Sequence, residues 1–549
     1  VSTTSTKSNR KQSRPIAAAP LDETHTSDGA MSGRAWRLSS VGVLIVGAFL
    51  RLYRLSLVPL HHDEGVNGNF LVTLVREGKY TYNPENYHGP TLYFFSAVIP
   101  WIARFFGGKA FGDNYGLTTF NIRFVTAAFG IGTICLALLL RKRIGTIGAL
   151  SAAGLLAISP GAVYLSRYFI HESLFVFFTV GIVVAALKYY DSRRATYLIL
   201  ASISAALMVA TKETWIINGP VLLIAWFATN AYFRLRERLA GRRSEWPLGE
   251  RLRQTIERFG GPVPLTTVAL TALAVFIIVN VLFYSSFFTN YPKGVSDAMQ
   301  TLRFWSHRTH EHEHPWYQYI YWLLQEESML IILGGLGALI AVWRANNRLA
   351  VFLSLWSFGL LAGYSLVGYK TPWISLNFIV PLALTSGYSL DVAYQKLRQF
   401  GQPWLFTLLA VLIAAPSIYQ MYELNFVHYD DDAYPYVYAH TRREMLQMLD
   451  EIDKVSKRMS TGTDTGIAIV SPDYWPLPWY LRDYKKVGYY QQIVATNEPI
   501  IIGSTAQEEQ LKATYADRYV LVPSGKDDGA FALRPGVDLL LYMRKDVAK

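Results

Sequence analysis

Apolar residues in this chain come in long runs separated by short polar segments, not in alternating patterns. Stretches long enough to cross a bilayer, about 20 residues each, fall near 38–59, 119–140, 145–164, 169–188, 195–211, 214–232, 264–288, 320–342, 349–368, 373–391 and 403–423. They predict an α-helical polytopic membrane protein with about eleven transmembrane helices. A further apolar piece, 90–106, is shorter, and charge has to decide its place. Beyond 424 the pattern changes. Strand-like runs at Gly466–Val470, Pro499–Gly503 and Tyr519–Val522 alternate with helical patterns near 436–459 and 505–515. That predicts a small C-terminal α/β domain over 424–549, with a largely parallel sheet. No glycine-rich nucleotide fingerprint follows a strand there, so no nucleotide cofactor is assigned.

Composition supports the membrane reading. Of the 549 residues, 51% are hydrophobic and only 17% are charged, where a soluble domain carries roughly a quarter. The net charge of +12 does not signal nucleic acid, because the basic residues sit in short loops between apolar runs, as membrane topology demands. A single cysteine, Cys135, excludes an internal disulfide and a cysteine-based metal site. Residues 1–36 lack an apolar block and read as a disordered cytoplasmic tail. They do not read as a cleaved signal peptide, since the run that follows is about 20 residues long with no small-residue cleavage pattern.

The positive-inside rule orients the rest. If 90–106 lies along the outer surface without crossing, every strongly basic short segment falls inside: Arg141–Arg143, Lys188–Arg194, the arginine-dense 233–263 loop, Arg344–Arg348 and Lys396–Arg398. This arrangement places the N-terminus in the cytoplasm and the C-terminal domain outside a plasma membrane. The transmembrane domain then spans 37–423, with outer loops at 60–118 and 289–319.

Five polar groups converge on the outer face in this topology. They are His61-His62-Asp63-Glu64 with Glu85, Tyr87 and His88; Arg167 with His171 and Glu172; Lys212-Glu213; the histidine-rich loop containing His307, His310, His312 and His314; and Tyr369-Lys370-Thr371-Pro372-Trp373. Ionisable groups at membrane depth are costly and usually functional. Each also has a structural explanation: a helix start for Asp63-Glu64, an ion pair for Arg167 and Glu172, a snorkelling pair for Lys212-Glu213, an aromatic belt for Tyr369–Trp373. His312 and His314 are alternate residues, a spacing that can bind metal on an extended segment.

These motifs resemble the GT-C membrane glycosyltransferases, in particular the protein O-mannosyltransferase and aminoarabinose-transferase-like branch and its flippase-associated, mannosyltransferase-like members. The resemblance rests on Asp63-Glu64 after the first span, His88-Gly89-Pro90-Thr91-Leu92-Tyr93, Arg123, Glu172 and Thr211-Lys212. It also rests on Tyr369–Trp373 and Pro472-Asp473-Tyr474-Trp475-Pro476-Leu477-Pro478-Trp479-Tyr480. It covers about 38–500. Protein mannosyltransferases carry His-Pro-Pro where this chain has His88-Gly89-Pro90, and related enzymes often have Asp at Glu172.

The resemblance implies transfer of a sugar, mannose or another hexose, from a polyprenyl-phosphate donor to a protein, lipid or glycan acceptor. It implies Asp63 as the catalytic carboxylate, with Glu64 and Glu172 orienting substrate or tuning it. Arg167, Lys212 and Lys370 are the candidates for the donor phosphate. His62, His88, His171, Glu213, Tyr369 and Trp373 are the candidates for substrate contact. Asp63, Glu172 and a loop histidine could form an Mg²⁺ or Mn²⁺ site. The alternative is a non-catalytic accessory subunit of a larger membrane complex, built on a transferase scaffold. A transporter is disfavoured, because repeated halves and broken midplane helices are not evident.

Overall fold

A computed structural model of the chain describes residues 30–84, 88–106, 116–241, 253, 256–257, 261–306, 312–525 and 529–548. The helices in the first 241 residues are α1 (Gly33–Leu52), α2 (His62–Glu77), α3 (Thr91–Phe105), α4 (Thr119–Leu138), α5 (Arg141–Ile144), α6 (Thr146–Ile158), α7 (Pro160–Ser166), α8 (Glu172–Ser192), α9 (Ala195–Val209) and α10 (Trp215–Leu239). There follow α11 (Pro262–Tyr284), α12 (Lys293–Ser306), α13 (Gln318–Glu326), α14 (Ser328–Arg344), α15 (Arg348–Leu366), α16 (Leu376–Gln399) and α17 (Leu405–Tyr422).

Among the described residues, eight helices are long and apolar enough to cross a membrane, or up to ten if the bent pairs α6–α7 and α13–α14 each count as one span. The chain is a multi-pass membrane protein. The expected span at 195–211 is the shorter helix α9, held between α8 and α11. The first expected span, 38–59, stops at Leu52; residues 53–58 form turns that lead into α2. The apolar piece 90–106 becomes α3, which buries Leu92, Tyr93 and Ala97 and leaves Trp101, Ile102 and Phe105 exposed. An amphipathic helix of this kind suits a membrane interface.

The bundle has two chemically different ends. At one, Arg143 pairs with Asp191, Asn347 Nδ2 donates to Arg143 O at 2.6 Å, and Arg236 donates to Trp343 O at 3.0 Å. At the other lie α2, the start of α8 and the start of α10. The 21-residue α8 separates them by ~30 Å at 1.5 Å per residue.

The C-terminal region packs α18 (Glu444–Arg458) and α20 (Glu508–Tyr515) on a six-stranded sheet. The strands are β1 (Gly466–Ile469), β2 (Lys486–Tyr489), β3 (Ile500–Ser504), β4 (Tyr519–Val522), β5 (Phe531–Arg534) and β6 (Val537–Arg544). The order is β2-β1-β3-β6-β4, with β5 also on β6. Here the expectation of a largely parallel sheet is corrected. β1 pairs in parallel with β2 and β3, but β6 runs antiparallel to β3, β4 and β5. The reason is local. β5 and β6 are joined only by Pro535-Gly536, with Gly536 at φ +76°, and so short a link forces an antiparallel return.

The short helix α19 (Leu477–Tyr480) lies on α2. A Cβ on Gly68 would meet the Trp479 ring at 2.6 Å, and one on Gly65 would meet Pro476 at 2.5 Å. Glycine at these positions lets the C-terminal region sit directly against the helix that carries Asp63.

Candidate active site

The site is organised by the start of α2. His61 is its N-cap: Nδ1 accepts from Asp63 N at 3.0 Å, and Glu64 Oε2 accepts from His61 N at 3.0 Å, a reciprocal capping box. Burial pushes the His61 imidazole down to about 3, so the ring is neutral at pH 7. With Nδ1 accepting, the proton sits on Nε2 and is donated to Tyr438 O at 3.3 Å.

Glu64 is fully buried, and all of its acceptor capacity is used. Oε1 takes Arg123 Nε and Phe169 N, both at 2.7 Å; Oε2 takes Arg123 Nη2 at 2.6 Å and His61 N. Arg123 also donates to Leu55 O, Val58 O and Pro59 O at 3.2, 2.8 and 3.0 Å. The pair therefore fastens the α1–α2 connection and the start of α8 to α4. With these partners Glu64, expected to orient substrate or tune Asp63, has the bonding of an anchor.

All three expected phosphate cations have partners, backbone carbonyls for two of them. Arg167 donates to Leu50 O, Tyr53 O and Arg54 O at 3.0, 2.7 and 3.0 Å and lies over the Phe426 ring. It closes the carbonyl end of α1, where a cation is favoured. Lys370 donates to Val367 O at 2.5 Å and His314 O at 3.2 Å, tying the 312–314 segment to the end of α15. Lys212 remains, buried and paired with Glu172. Glu172, one of the carboxylates named for a metal site, is thus held in an ion pair.

A short backbone ladder sets the next group. Gly89 N donates to Thr211 O at 3.0 Å, Thr91 N to Ala210 O at 3.4 Å, and Thr91 Oγ1 to Thr211 Oγ1 at 2.8 Å. A Cβ on Gly89 would lie 2.1 Å from Ala210 O, so the close approach requires glycine. It brings His88 Nδ1 to 2.8 Å from Glu213 Oε2. Burial opposes ionisation of Glu213, yet His88 and Lys212 hold its carboxyl below the usual range. His171 Nε2 donates to Gly89 O at 3.0 Å. Its ring meets His88 edge-on at 5.1 Å, and its Nδ1 is a buried acceptor with no hydrogen-bond donor.

Asp63 stands among these groups, partly exposed at 28%. Among the described residues no hydrogen bond reaches its carboxylate, and the nearest cation-capable atom is the neutral His61 Nδ1 at 3.9 Å. Burial raises its carboxyl above the usual range; His62, His88, Lys212 and His312 offset this only in part. Glu64, Glu172 and Glu213 each hold a cation or imidazole, and among the described residues Asp63 is the carboxylate here left uncommitted.

The remaining expected residues line the far side. His312 Nδ1 bonds Tyr438 Oη at 2.9 Å, and Tyr369 packs on the His312 ring. Trp373 meets His61 at 5.9 Å and Tyr438 at 6.1 Å. His314 packs on Trp322 and Tyr438, so both imidazoles meet the Tyr438 ring. Among the described residues no group of three His, Cys, Asp or Glu side chains is placed to hold a metal ion. Glu85, Tyr87, His307 and His310 lie outside the described residues.

The C-terminal region supplies residues that the sequence reading did not assign to the site. His440 packs on His61 at 5.3 Å. Arg534, at the end of β5, pairs with Asp473 and reaches within 3.5 Å of His62 Nδ1. Trp475 packs on the His62 ring at 6.2 Å. Burial, with Asp63 opposing and His61 and Arg534 assisting, pushes His62 down to about 4. The Pro472–Tyr480 segment stood out in the sequence; Arg534 and His440 had no local signal there.

Comparison with known proteins agrees with this architecture. Residues 96–240 match the family model for dolichyl-phosphate-mannose-protein mannosyltransferases. No curated protein matches the chain in sequence. The chain is similar in structure to ArnT from Cupriavidus metallidurans bound to undecaprenyl phosphate. That likeness covers 93% of this chain and 98% of that one, at 14% identity and a TM-score of 0.58. It is also similar to the archaeal oligosaccharyltransferase AglB from Archaeoglobus fulgidus in complex with an inhibitory peptide and a dolichol-phosphate. There the likeness covers 91% of this chain and 74% of that one, at 14% identity and a TM-score of 0.52. At such identity the likeness establishes the fold, and the chain has the GT-C fold that its motifs resemble.

Proposed function

We propose that this chain is a membrane glycosyltransferase that moves a sugar from a polyprenyl-phosphate carrier to an acceptor hydroxyl at the α2 end of the bundle. The observation that carries this reading is the uncommitted, partly exposed carboxylate of Asp63, set among fully partnered carboxylates and beside Lys212, His88 and His312. The family model's donor class and the carriers bound in the ArnT and AglB structures favour a polyprenyl-phosphate donor. Mannose or another hexose is the sugar.

The chemistry asks little of the protein beyond position and charge. The acceptor oxygen attacks the anomeric carbon as Asp63 takes its proton; the bond from that carbon to the phosphate oxygen breaks, and polyprenyl phosphate leaves with the electron pair. Direct displacement inverts the anomeric centre. A raised carboxyl pKa makes Asp63 a better base, provided the pH lies above it. In this reading Lys212 takes up charge on the leaving phosphate, and its ion pair with Glu172 holds it in position. His171 Nδ1 is an acceptor suited to a sugar hydroxyl. If Mg²⁺ or Mn²⁺ takes part, Asp63 is the carboxylate free to bind it. The acceptor, whether protein, lipid or glycan, approaches beside the C-terminal region at Arg534 and Trp475.

The test is transfer of radiolabelled mannose from a polyprenyl phosphate in proteoliposomes of the full chain. Wild-type protein consumes the donor, and Asp63→Asn lowers the rate at least 10²-fold, the scale of a lost general base. An Asp63→Asn protein that transfers at the wild-type rate removes Asp63 from the reaction. Absence of donor consumption by wild type, together with stoichiometric co-purification in a larger complex, supports the accessory role.

A further inference from the structure

The opposite end of the bundle carries a second cleft that the transfer reaction does not use. α8 packs chiefly on α4 and α9, whereas α10 packs on α15. Between these pairs the structure leaves a cavity of about 460 Å³.

Its walls change character along the helix axes. Towards the bundle centre they are apolar, from Ile182, Leu187, Leu223, Trp226 and Phe352. At the mouth they are polar, from Arg143, Tyr190, Asn230, Asn347 and Arg348. On α8 the lining runs from Ile182 to Tyr190, and on α10 from Leu222 to Asn230. Each run is ~12 Å at 1.5 Å per residue, close to the ~15 Å depth of one leaflet's hydrocarbon. The cavity thus has the length and polarity profile of one leaflet.

The charge at the mouth is predominantly basic, with the Asp391 carboxylate of α16 lying against Gly145 and accepting from Gly148 N at 3.1 Å. The adjoining segments bring Arg141, Lys142, Lys188, Arg193, Arg236 and Arg344. Within 141–146, 188–195, 234–239 and 344–348 the only carboxylates are Asp191 and Glu237. Asp191 is paired with Arg143. Glu237 reaches Arg348 only at 3.5 Å, and both of those side chains are about one-third exposed, so the pair holds Arg348 weakly. The Arg348 guanidinium lies over the Phe233 ring at 4.8 Å, which orients it without neutralising it.

We propose that this cavity binds one anionic phospholipid, with its phosphate at Arg348 and an acyl chain along α8 and α10. Basic clefts between helices, at the level of the headgroups, are suited to such lipids. The site is independent of sugar transfer, and Asp63→Asn leaves it intact.

The test is native mass spectrometry of the full-length protein in detergent, with dioleoylphosphatidylglycerol, dioleoylphosphatidylcholine and undecaprenyl phosphate as separate probes. The expected result is a bound phosphatidylglycerol retained about tenfold better than phosphatidylcholine. Arg348→Gln should bring it down to the phosphatidylcholine level. Ala186→Trp, which places an indole in the cleft without changing charge, should abolish it. Equal retention of the two phospholipids, or retention unaffected by Ala186→Trp, overturns the proposal. So does displacement of phosphatidylglycerol by undecaprenyl phosphate at equal concentration, which would make the cleft a carrier site. A second measurement does not depend on how Ala186→Trp folds. Brominated phosphatidylglycerol should quench a fluorescence component that is absent in Trp226→Phe, and brominated phosphatidylcholine should not. Equal quenching by both lipids, or none, also overturns it.

Discussion

Replacing Glu64 by Gln and, separately, Asp63 by Asn should give opposite outcomes, although the two residues are adjacent and both changes turn a carboxylate into an amide. Gln fits the space of Glu64 but cannot replace its bonding. Four donors point at the two carboxylate oxygens: Arg123 Nε and Phe169 N at one, Arg123 Nη2 and His61 N at the other. Whichever way the amide is turned, its NH₂ faces two donors. Arg123, fully buried, also loses its only ion-pair partner among the described residues. Breaking one side of a buried pair typically costs ~3–5 kcal/mol. Three carbonyls still hold Arg123, so we expect the lower end, about 3 kcal/mol, a substantial part of the ~5–15 kcal/mol that holds a typical domain together.

Asp63 behaves differently because burial raises its carboxyl. A carboxyl whose folded value lies above its unfolded value of about 3.9 contributes stability while protonated at low pH, and loses it as pH rises through the folded value. At neutral pH the ionised Asp63 therefore lowers stability, and Asn should leave the protein at least as stable as wild type while transfer fails. Intrinsic-fluorescence melting of both variants in one detergent at one scan rate, needed because such unfolding is often irreversible, reads the difference. Glu64→Gln should melt several degrees lower and Asp63→Asn no lower. A Glu64→Gln protein that melts with wild type refutes the anchoring role, and an Asp63→Asn protein that melts well below wild type refutes the uncommitted carboxylate.

The transfer rate should fall on the acid side through an apparent pKa above the ordinary carboxylate range, because Asp63 must be ionised to take a proton; a pH–rate profile still flat at pH 4 contradicts this. Lys212→Met leaves Glu172 buried without its cation and should cost about 3 kcal/mol. Adding Glu172→Leu should recover most of that stability but none of the activity, and full activity in the double variant excludes Lys212 from the leaving-group role. Gly89→Ala must push Ala210 O away from a Cβ that would lie 2.1 Å from it. It should lower transfer by more than tenfold through displaced His88 and His171, measured in the same proteoliposomes, and an unchanged rate argues against the ladder as the positioning element.

Much of the architecture was legible because it depends on local properties of the chain. Apolar runs of bilayer length, basic loops and the polar starts of α2, α8 and α10 are visible without any tertiary contact. Their segregation to opposite ends follows from helix length alone. What the bonding partners do was not legible. Arg167 and Arg123 have the same side chain and both sit near the α2 end of the bundle. One closes the carbonyl terminus of α1 and the other neutralises Glu64. Nothing in the flanking residues separates these roles.

The sequence by itself determined that this is a membrane protein with ionisable groups gathered at one end of its helices, because hydrophobic length and charge placement act one segment at a time. Only the tertiary structure decided which carboxylate is left free. Glu64 is satisfied by groups 59 and 105 residues away, and Glu172 by a lysine 40 residues on. Asp63 is distinguished by the partners it lacks among the described residues. The C-terminal region, brought against α2 through Gly65 and Gly68, adds Arg534 and Trp475 to the same end. A hydrogen bond has no signature along the chain when its two halves lie a hundred residues apart, and so commitment is a property of the fold.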